Sequence, residues 1–161
     1  MASTPAVELL VASGTAYSLH EYAHDPRQRA FGSEAAVALG VEPDRVFKTL
    51  VATVPEGLVV AIVPVSTELD LKALAHACGA KRATMADPKA AERSSGYVVG
   101  GISPLGQKRR LVTVVDLSAT RWPTVFVSGG RRGLEIELTP NDLVALTAAS
   151  LAPIGRDNHT R

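Results

Sequence analysis

Two apolar segments dominate the hydropathy pattern of this chain. Val46–Val54 and Leu58–Val65 are rich in β-branched side chains and are separated by the turn residues Pro55-Glu56-Gly57. A run that is apolar on both of its alternating faces is typical of a strand that is covered on both sides. The pattern therefore predicts a β-hairpin that is buried on both faces and lies at the centre of a sheet.

Capping signals predict five helices. Thr4 and Pro5 have the properties of an N-cap and a first helical residue, and Gly14 is suited to end the helix. Each further helix also begins with a residue whose side chain can accept a hydrogen bond from the first turn. These four helices are predicted from Ser33 to Gly40, from Asp70 to Gly79, from Asp87 to about Arg93, and from Thr139 to about Ala149.

Shorter segments with the period of a strand complete the pattern. They are Thr15–His24, Leu111–Asp116, Thr124–Ser128 and Leu134–Leu138, and a Gly-Gly-Arg-Arg-Gly turn joins the last two. The order α-β-α-ββ-αα-βββ-α predicts a mixed α+β domain rather than a regular alternation. The 161 residues correspond to one domain, 1–161, whose polar tail we expect to fray from about Ile154.

Composition and charge exclude several classes of protein. With 46% hydrophobic and 20% charged residues, the chain is typical of globular proteins. Because the net charge is only +1, any hold on nucleic acid must come from a local group of cations. The longest apolar run, Leu58–Val65, is far shorter than the roughly 20 residues of a membrane-spanning helix. A secretory signal begins with basic residues, but no Lys or Arg precedes Arg27 in this chain. The single cysteine, Cys78, excludes an intrachain disulfide, which suits a reducing compartment. From these features together we expect a soluble, cytoplasmic protein.

Lys48 is the most unusual residue of the predicted hairpin. Strand alternation places it on the same face as Val46, Leu50 and Ala52, which are apolar. An ammonium among apolar side chains either extends to solvent at the rim of a sheet or lines a cleft. In a cleft it could neutralise an anion, polarise a carbonyl or act as a nucleophile, and the spacing leaves these alternatives open.

Three polar aromatic residues follow one another on one face of the first predicted strand. His20 and His24 are separated by roughly 13 Å along an extended chain, which is too far for them to bind one metal ion. We therefore expect histidines on a half-exposed face and no metal site. Tyr22, between them, remains a candidate site residue.

Glycine-rich loops and groups of basic residues are further candidates for ligand binding. The loop Val98–Gly106 and the turn Ser128-Gly129-Gly130 could bring backbone N–H groups close to an anion, or could be ordinary turns. Neither has the spacing of a P-loop or of a dinucleotide-binding motif. The basic groups are Lys81-Arg82, Lys108-Arg109-Arg110 and Arg131-Arg132, and each is either a solvated surface or a phosphate contact.

Several separated blocks resemble a known family in both order and spacing. They are Tyr22–Pro26, Val46–Leu50, Met85–Pro88, Gly96–Lys108 and Ser128–Gly130. From about Pro5 to Leu146 the chain is similar to the YbaK/EbsC family of free-standing aminoacyl-tRNA editing proteins. The resemblance implies an α+β fold with a mixed, barrel-like β-sheet and flanking helices. It also implies hydrolysis in trans of the ester of mischarged tRNA, with cysteinyl-tRNA(Pro) as the first candidate.

The resemblance assigns roles to individual residues. It implies Lys48, Tyr22 and Gly100 as catalytic residues. It further implies substrate contacts from Phe31, Thr49, Gly101, Ser103, Ser128, Gly129 and Glu135. Independently of the resemblance, two basic groups adjoin the glycine-rich loops and predict tRNA contacts from Lys108, Arg109, Arg110 and Arg131. In the family the thiol of the substrate is thought to attack its own ester, so the enzyme would need no nucleophile.

The same resemblance sets the expected partners and the alternatives. It implies the acceptor end of tRNA as the partner and prolyl-tRNA synthetase as a candidate second partner. Together with the histidine spacing and the short apolar runs, this leads us to expect no cofactor, metal, DNA or membrane. The alternatives are a deacylase for another mischarged tRNA, such as alanyl-tRNA(Pro), and a non-catalytic module that binds tRNA or a synthetase.

Overall fold

Ten β-strands and five α-helices make up the part of the chain that the computed structural model describes, residues 3–27 and 31–157. The helices are α1 (Pro5–Ser13), α2 (Phe31–Leu39), α3 (Leu71–Ala77), α4 (Pro88–Ser95) and α5 (Pro140–Thr147). The strands are β1 (Ser18–Glu21), β2 (Phe47–Val54), β3 (Gly57–Pro64), β4 (Thr67–Leu69), β5 (Thr84–Met85), β6 (Val112–Asp116), β7 (Val125–Ser128), β8 (Leu134–Leu138), β9 (Ser150–Ala152) and β10 (Gly155–Asp157).

Four of the five predicted helix starts are confirmed by their side-chain caps. The Thr4 hydroxyl accepts a hydrogen bond from the Val7 N–H, and Asp70, Asp87 and Thr139 cap α3, α4 and α5 in the same way. The predicted start of the second helix was wrong. α2 begins at Phe31, so Ser33 lies within the helix and does not cap it.

The predicted hairpin forms the centre of the larger sheet. Its strand order is β5-β2-β3-β6-β9, with β2 and β3 antiparallel and with β3, β6 and β9 parallel to one another. One face of the hairpin packs in a core with Leu74 of α3, and the other carries Phe47 and Ile62 into a second core. Burial on both faces, as predicted, explains why the two strands are mostly apolar.

A second, three-stranded sheet of order β1-β8-β7 is antiparallel and faces the first. Among the described residues the two sheets meet at one bridge, between Val46 and Phe126, and Val127 and Ile136 pack between the sheets. The α+β class is confirmed. Among the described strands the sheets face each other without closing into a barrel, so the fold is barrel-like in its packing only.

The C-terminal segment is ordered further than predicted. Ile154 is completely buried, and β10 pairs with β4. The Asp116 carboxylate accepts hydrogen bonds from the N–H groups of Ile154 and Gly155, at 2.9 and 2.8 Å. The expectation of fraying was therefore wrong for residues 154–157, because one buried side chain and one carboxylate anchor a segment of polar composition. Residues 158–161 lie outside the described part.

No α-helix of the described residues is both long enough and apolar enough to cross a membrane.

Candidate active site

A cavity of about 420 Å³ opens beside the first half of β2. β5 pairs with Ala52 and Thr53 only, so among the described strands none covers residues 48–50 on that side. The other walls are supplied by Tyr22, by the start of α4, by the loop after α4 and by β8. The cavity therefore exists because β5 is too short to extend along β2.

Thr49 presents several hydrogen-bonding groups to this cavity. The Val51 carbonyl accepts a hydrogen bond from the Ala86 N–H on the side away from β3. Alternate residues of an antiparallel strand direct their backbone groups the same way, so the N–H and C=O of Thr49 face the uncovered side of β2. The Thr49 hydroxyl is also buried and has no hydrogen-bond partner among the described residues. A buried hydroxyl without a partner is unfavourable, which makes this position suited to a polar ligand.

Lys48 lines the cavity and is half-buried. Burial lowers the pKa of its ammonium from the ordinary value, and the carboxylate of Glu68 acts in the opposite direction. Among the described residues no carboxylate forms an ion pair with Lys48. Of the two alternatives left by the sequence, the structure therefore selects the cleft over the rim.

Glu135 and Tyr22 form a polar wall of the same cavity. Glu135 lies on β8 opposite His20 of β1 and Ser128 of β7, and it is only 7% exposed. Burial raises the pKa of its carboxyl to about 8, so the group is mostly protonated at pH 7 and can donate a hydrogen bond. Burial, together with the nearby Glu135, also raises the pKa of the Tyr22 hydroxyl, which stays neutral.

The loop after α4 reaches the cavity through Gly100, whose φ of 93° lies in the region that favours glycine. Its neighbour Gly101 lies against the backbone of the β7–β8 turn, where an added Cβ would stand 2.9 Å from the Cα of Arg131. The Arg132 guanidinium donates a hydrogen bond to the Val99 carbonyl at 3.0 Å. These contacts hold the two glycine-rich loops together and fix the position of Gly100.

Four predicted substrate contacts do not line the cavity. Ser103 is completely buried, and its hydroxyl accepts a hydrogen bond from the Leu105 N–H. The Ser128 hydroxyl accepts a hydrogen bond from the Gly130 N–H, and the Gly129 carbonyl accepts one from the Thr4 hydroxyl. Together with Gly101, these residues shape and connect the loops. The glycine-rich sequence correctly predicted that these segments are loops near the site, but it did not predict which of their residues face the cavity.

The remaining predicted site residues lie in different places. The prediction for the side chain of Phe31, the first residue of α2, falls outside the described part of the structure. Arg131 is paired with Glu21 at 2.7 Å. Lys108, Arg109 and Arg110 are exposed and line a second cavity of about 270 Å³, away from Lys48.

The two histidines of β1 and its extension have carboxylate partners. His20 pairs with Glu137 at 2.9 Å, and His24 pairs with Glu34 at 2.7 Å. Among the described residues there is no group of three or more side chains that could hold a metal ion.

Sequence reasoning assigned no role to several residues that line the cavity. Ser33, Met85 and Val99 are three of them. Met85 and Val99 had a signal, because both belong to blocks that carry the resemblance, whereas Ser33 had none. Each comes from a different segment, and only the folded chain brings these segments together.

Comparison with known proteins identifies the class to which this fold and site belong. A sequence model of the aminoacyl-tRNA editing domain matches residues 26–146. The Enterococcus faecalis protein named "Putative Cys-tRNA(Pro)/Cys-tRNA(Cys) deacylase EbsC" is 37% identical over 152 residues, which cover 94% of this chain and 92% of that protein. The Bacillus subtilis "Uncharacterized protein YwhH" is 32% identical over 111 residues, 68% of this chain and 70% of that protein.

A solved structure agrees with these sequence relatives. The "Crystal structure of a putative trans-editing enzyme for prolyl tRNA synthetase" has a TM-score of 0.83 and 26% identity, and the match covers 97% of this chain and 99% of that chain. The chain belongs to the aminoacyl-tRNA editing domain family, as the sequence blocks indicated. It is an enzyme of the deacylase class that acts on aminoacyl-tRNA.

Proposed function

We propose that this protein removes cysteine from mischarged tRNA(Pro), with the thiol of the substrate as the nucleophile. The observation that carries the proposal is a cavity with a half-buried lysine that has no ion pair with a described residue, in a chain that is 37% identical to a relative named as a deacylase of cysteinyl-tRNA. Its volume of about 420 Å³ has room for an aminoacyl group together with the ribose to which it is joined.

The cavity supports a substrate nucleophile because its own hydroxyl groups are not activated. Ser33 and Thr49 line it, but neither hydroxyl is hydrogen-bonded to a basic group among the described residues. A serine or threonine needs such a base to become nucleophilic near neutral pH. Cys78, the single thiol of the chain, lies at the end of α3 and does not line the cavity, and burial raises its pKa.

In the proposed reaction the sulfur of the cysteinyl group attacks its own ester carbonyl. The new bond is carbon to sulfur, and the bond that breaks joins the carbonyl carbon to the ribose oxygen. The thiol proton passes to that oxygen, so the products are a cyclic thioester and tRNA with a free hydroxyl. Water then opens the thioester to cysteine. The enzyme contributes by folding the substrate into reach and by stabilising the charge that develops on the carbonyl oxygen.

The side chains of the cavity suit these tasks. In the proposal the Lys48 ammonium and the N–H groups near Gly100 face the developing oxyanion. Tyr22 and Glu135, both neutral at pH 7, hydrogen-bond the polar groups of the substrate, and Thr49 contributes its unpaired hydroxyl. Because tRNA(Pro) is charged by prolyl-tRNA synthetase, we also propose that enzyme as a partner and the cytoplasm as the location.

The decisive experiment is to incubate the purified protein with cysteinyl-tRNA(Pro) and to follow the loss of the acyl group. The expected result is multiple turnover by the wild type and none by Lys48→Ala, with correctly charged prolyl-tRNA(Pro) left intact. Binding of the tRNA without loss of cysteine would instead support a non-catalytic module. Equal loss of proline and cysteine would exclude editing.

A further inference from the structure

Positive charge is concentrated in one segment of this nearly neutral chain. Residues 81–110 contain seven basic and two acidic residues, although the net charge of the whole chain is +1. The basic residues are Lys81, Arg82, Lys89, Arg93, Lys108, Arg109 and Arg110. A local excess of this size indicates an anionic partner even where the overall charge does not.

α4 arranges part of this charge on one exposed face. Lys89 and Arg93 are four residues apart, which places them on the same side of the helix and about 6 Å apart along its axis. Both are exposed, whereas Ala91, Ser94 and Ser95 on the other side are buried. The helix is thus attached to the domain by its small residues and presents its cations to solvent.

The basic group after the helix extends the same line of charge. The N–H groups of Lys108 and Arg109 donate to the carbonyls of Ser95 and Ser94, each at 2.9 Å, so this group lies at the C-terminal end of α4. At the opposite end Pro88, the first residue of α4, lines the active-site cavity. We call Lys89, Arg93, Lys108, Arg109 and Arg110 the α4 ridge.

No carboxylate of the described residues neutralises the charges of the α4 ridge by an ion pair. The two acidic residues of the segment are already engaged, since Asp87 accepts a hydrogen bond from the Ala90 N–H and Glu92 accepts one from the Val99 N–H. None of the five ridge side chains forms a hydrogen bond or ion pair with a described residue. Other arginines on the surface, such as Arg131 with Glu21, do have carboxylate partners.

We propose that the α4 ridge binds the phosphates of the RNA strand that leads away from the aminoacyl ester in the cavity. The strand runs from Pro88, where the 3′ end enters, towards Lys108. α4 is about 12 Å long, a distance that spans at least two successive phosphates of an RNA strand. The inference rests on the proposed function, because it takes the ester in the cavity as the start of the strand.

The test neutralises the helical part of the ridge in the double variant Lys89→Gln/Arg93→Gln. Glutamine keeps helix propensity close to that of lysine and arginine, so the helix should be preserved. We expect KM for cysteinyl-tRNA(Pro) to rise roughly 10- to 30-fold at 0.15 M salt with kcat retained, because about two phosphate contacts are lost. The slope of log(kcat/KM) against log salt should become shallower by about 1.4 to 1.8.

Two comparisons make the result specific. Cysteinyl-adenosine carries the ester but lacks the phosphates, so the double variant should cleave it as fast as the wild type does. The control variant Lys72→Gln/Arg121→Gln removes the same charge from exposed positions on α3 and on the turn after β6, and it should keep the wild-type salt slope. Thermal unfolding followed by circular dichroism verifies that both variants are folded.

The outcomes separate this proposal from the proposed function. If the wild type cleaves cysteinyl-tRNA(Pro) but the ridge and control variants share its salt slope, the α4 ridge proposal is overturned and the deacylase function stands. Binding of uncharged tRNA, measured against salt by fluorescence anisotropy, tests the ridge without turnover. A wild type that binds tRNA with a slope reduced in the ridge variant, yet cleaves nothing, would retain the ridge and overturn the deacylase function.

Discussion

Replacing Glu135 with glutamine should change how the stability of the protein depends on pH. The Glu135 carboxyl is 7% exposed, and burial raises its pKa from an ordinary 4.5 to about 8. At a pH between these two values the folded protein keeps a proton that the unfolded chain has released. The variant Glu135→Gln has a side chain of similar shape at this position that cannot titrate.

The sign of the effect follows from the direction of the shift. Below about pH 4.5 both states are protonated, and Glu135 contributes no pH dependence. As the pH rises further, the free energy of unfolding falls by about 1.4 kcal/mol per unit, until the folded state ionises near pH 8. From pH 5 to pH 8 the wild type should therefore lose about 3 to 4 kcal/mol relative to Glu135→Gln.

Urea unfolding at several pH values measures this difference. Trp122, the single tryptophan of the chain, packs against the main core and reports unfolding by its fluorescence. Glu56→Gln, in the exposed turn between β2 and β3, is the matched control and should follow the wild type. Parallel curves of unfolding free energy against pH for the wild type and Glu135→Gln would refute the argument that burial holds Glu135 neutral.

Two further predictions concern the lysine and the loops of the cavity. Lys48→Ala should abolish deacylation while urea unfolding stays cooperative, and Lys48→Arg should also fail because a planar guanidinium cannot replace a compact ammonium. Near-normal turnover by a folded Lys48→Ala protein would remove the lysine from the mechanism. Gly101→Ala should cost about 1 to 3 kcal/mol in urea unfolding and reduce turnover, since its Cβ would stand 2.9 Å from the Cα of Arg131. An unchanged urea midpoint would show that the two loops separate freely.

The larger elements of the fold could be predicted because their signals are local. The caps at Thr4 and Thr139 and the apolar hairpin lie within single segments, and each is present in the structure. Four strands of two or three residues, β4, β5, β9 and β10, were not predicted. A strand of this length shows no measurable period. β5 and β9 form at the edges of the longer strands β2 and β6, and β4 and β10 pair with each other.

The site was harder to predict because it depends on a stretch of β2 that no described strand covers on one side. Alternation placed Lys48 on an apolar face, but only the short pairing of β5 with Ala52 and Thr53 opens a cavity beside it. Glu135 and Glu137 share one face of β8 in the sequence pattern. In the structure the first is buried without a hydrogen bond from a described residue, whereas the second pairs with His20 and Arg45. Their different chemistry comes from neighbours that are distant in the chain.

The identity of the nucleophile can be decided by changing the amino acid on a single tRNA. If the substrate thiol attacks, cysteinyl-tRNA(Pro) should be cleaved much faster than seryl- or alanyl-tRNA(Pro). A hydroxyl is a far poorer nucleophile near neutral pH, and a methyl group is none. The first product, a thioester, should also be trapped by an added amine, which takes over the acyl group as an amide and releases the thiol.

A water nucleophile predicts a different pattern with the same three substrates. Water held by Lys48 or Tyr22 would attack any ester that fits the cavity, and a pocket that accepts cysteine cannot strongly reject the smaller alanine. Discrimination would then be limited to roughly 1 to 3 kcal/mol, or about 10- to 200-fold in kcat/KM. Comparable rates on cysteinyl- and alanyl-tRNA(Pro), measured at matched subsaturating concentrations, would overturn the thiol mechanism. The protein would then be a deacylase that selects its substrates by the size of the amino acid, and the unpaired Thr49 hydroxyl would be the first group to test as the site that holds the water.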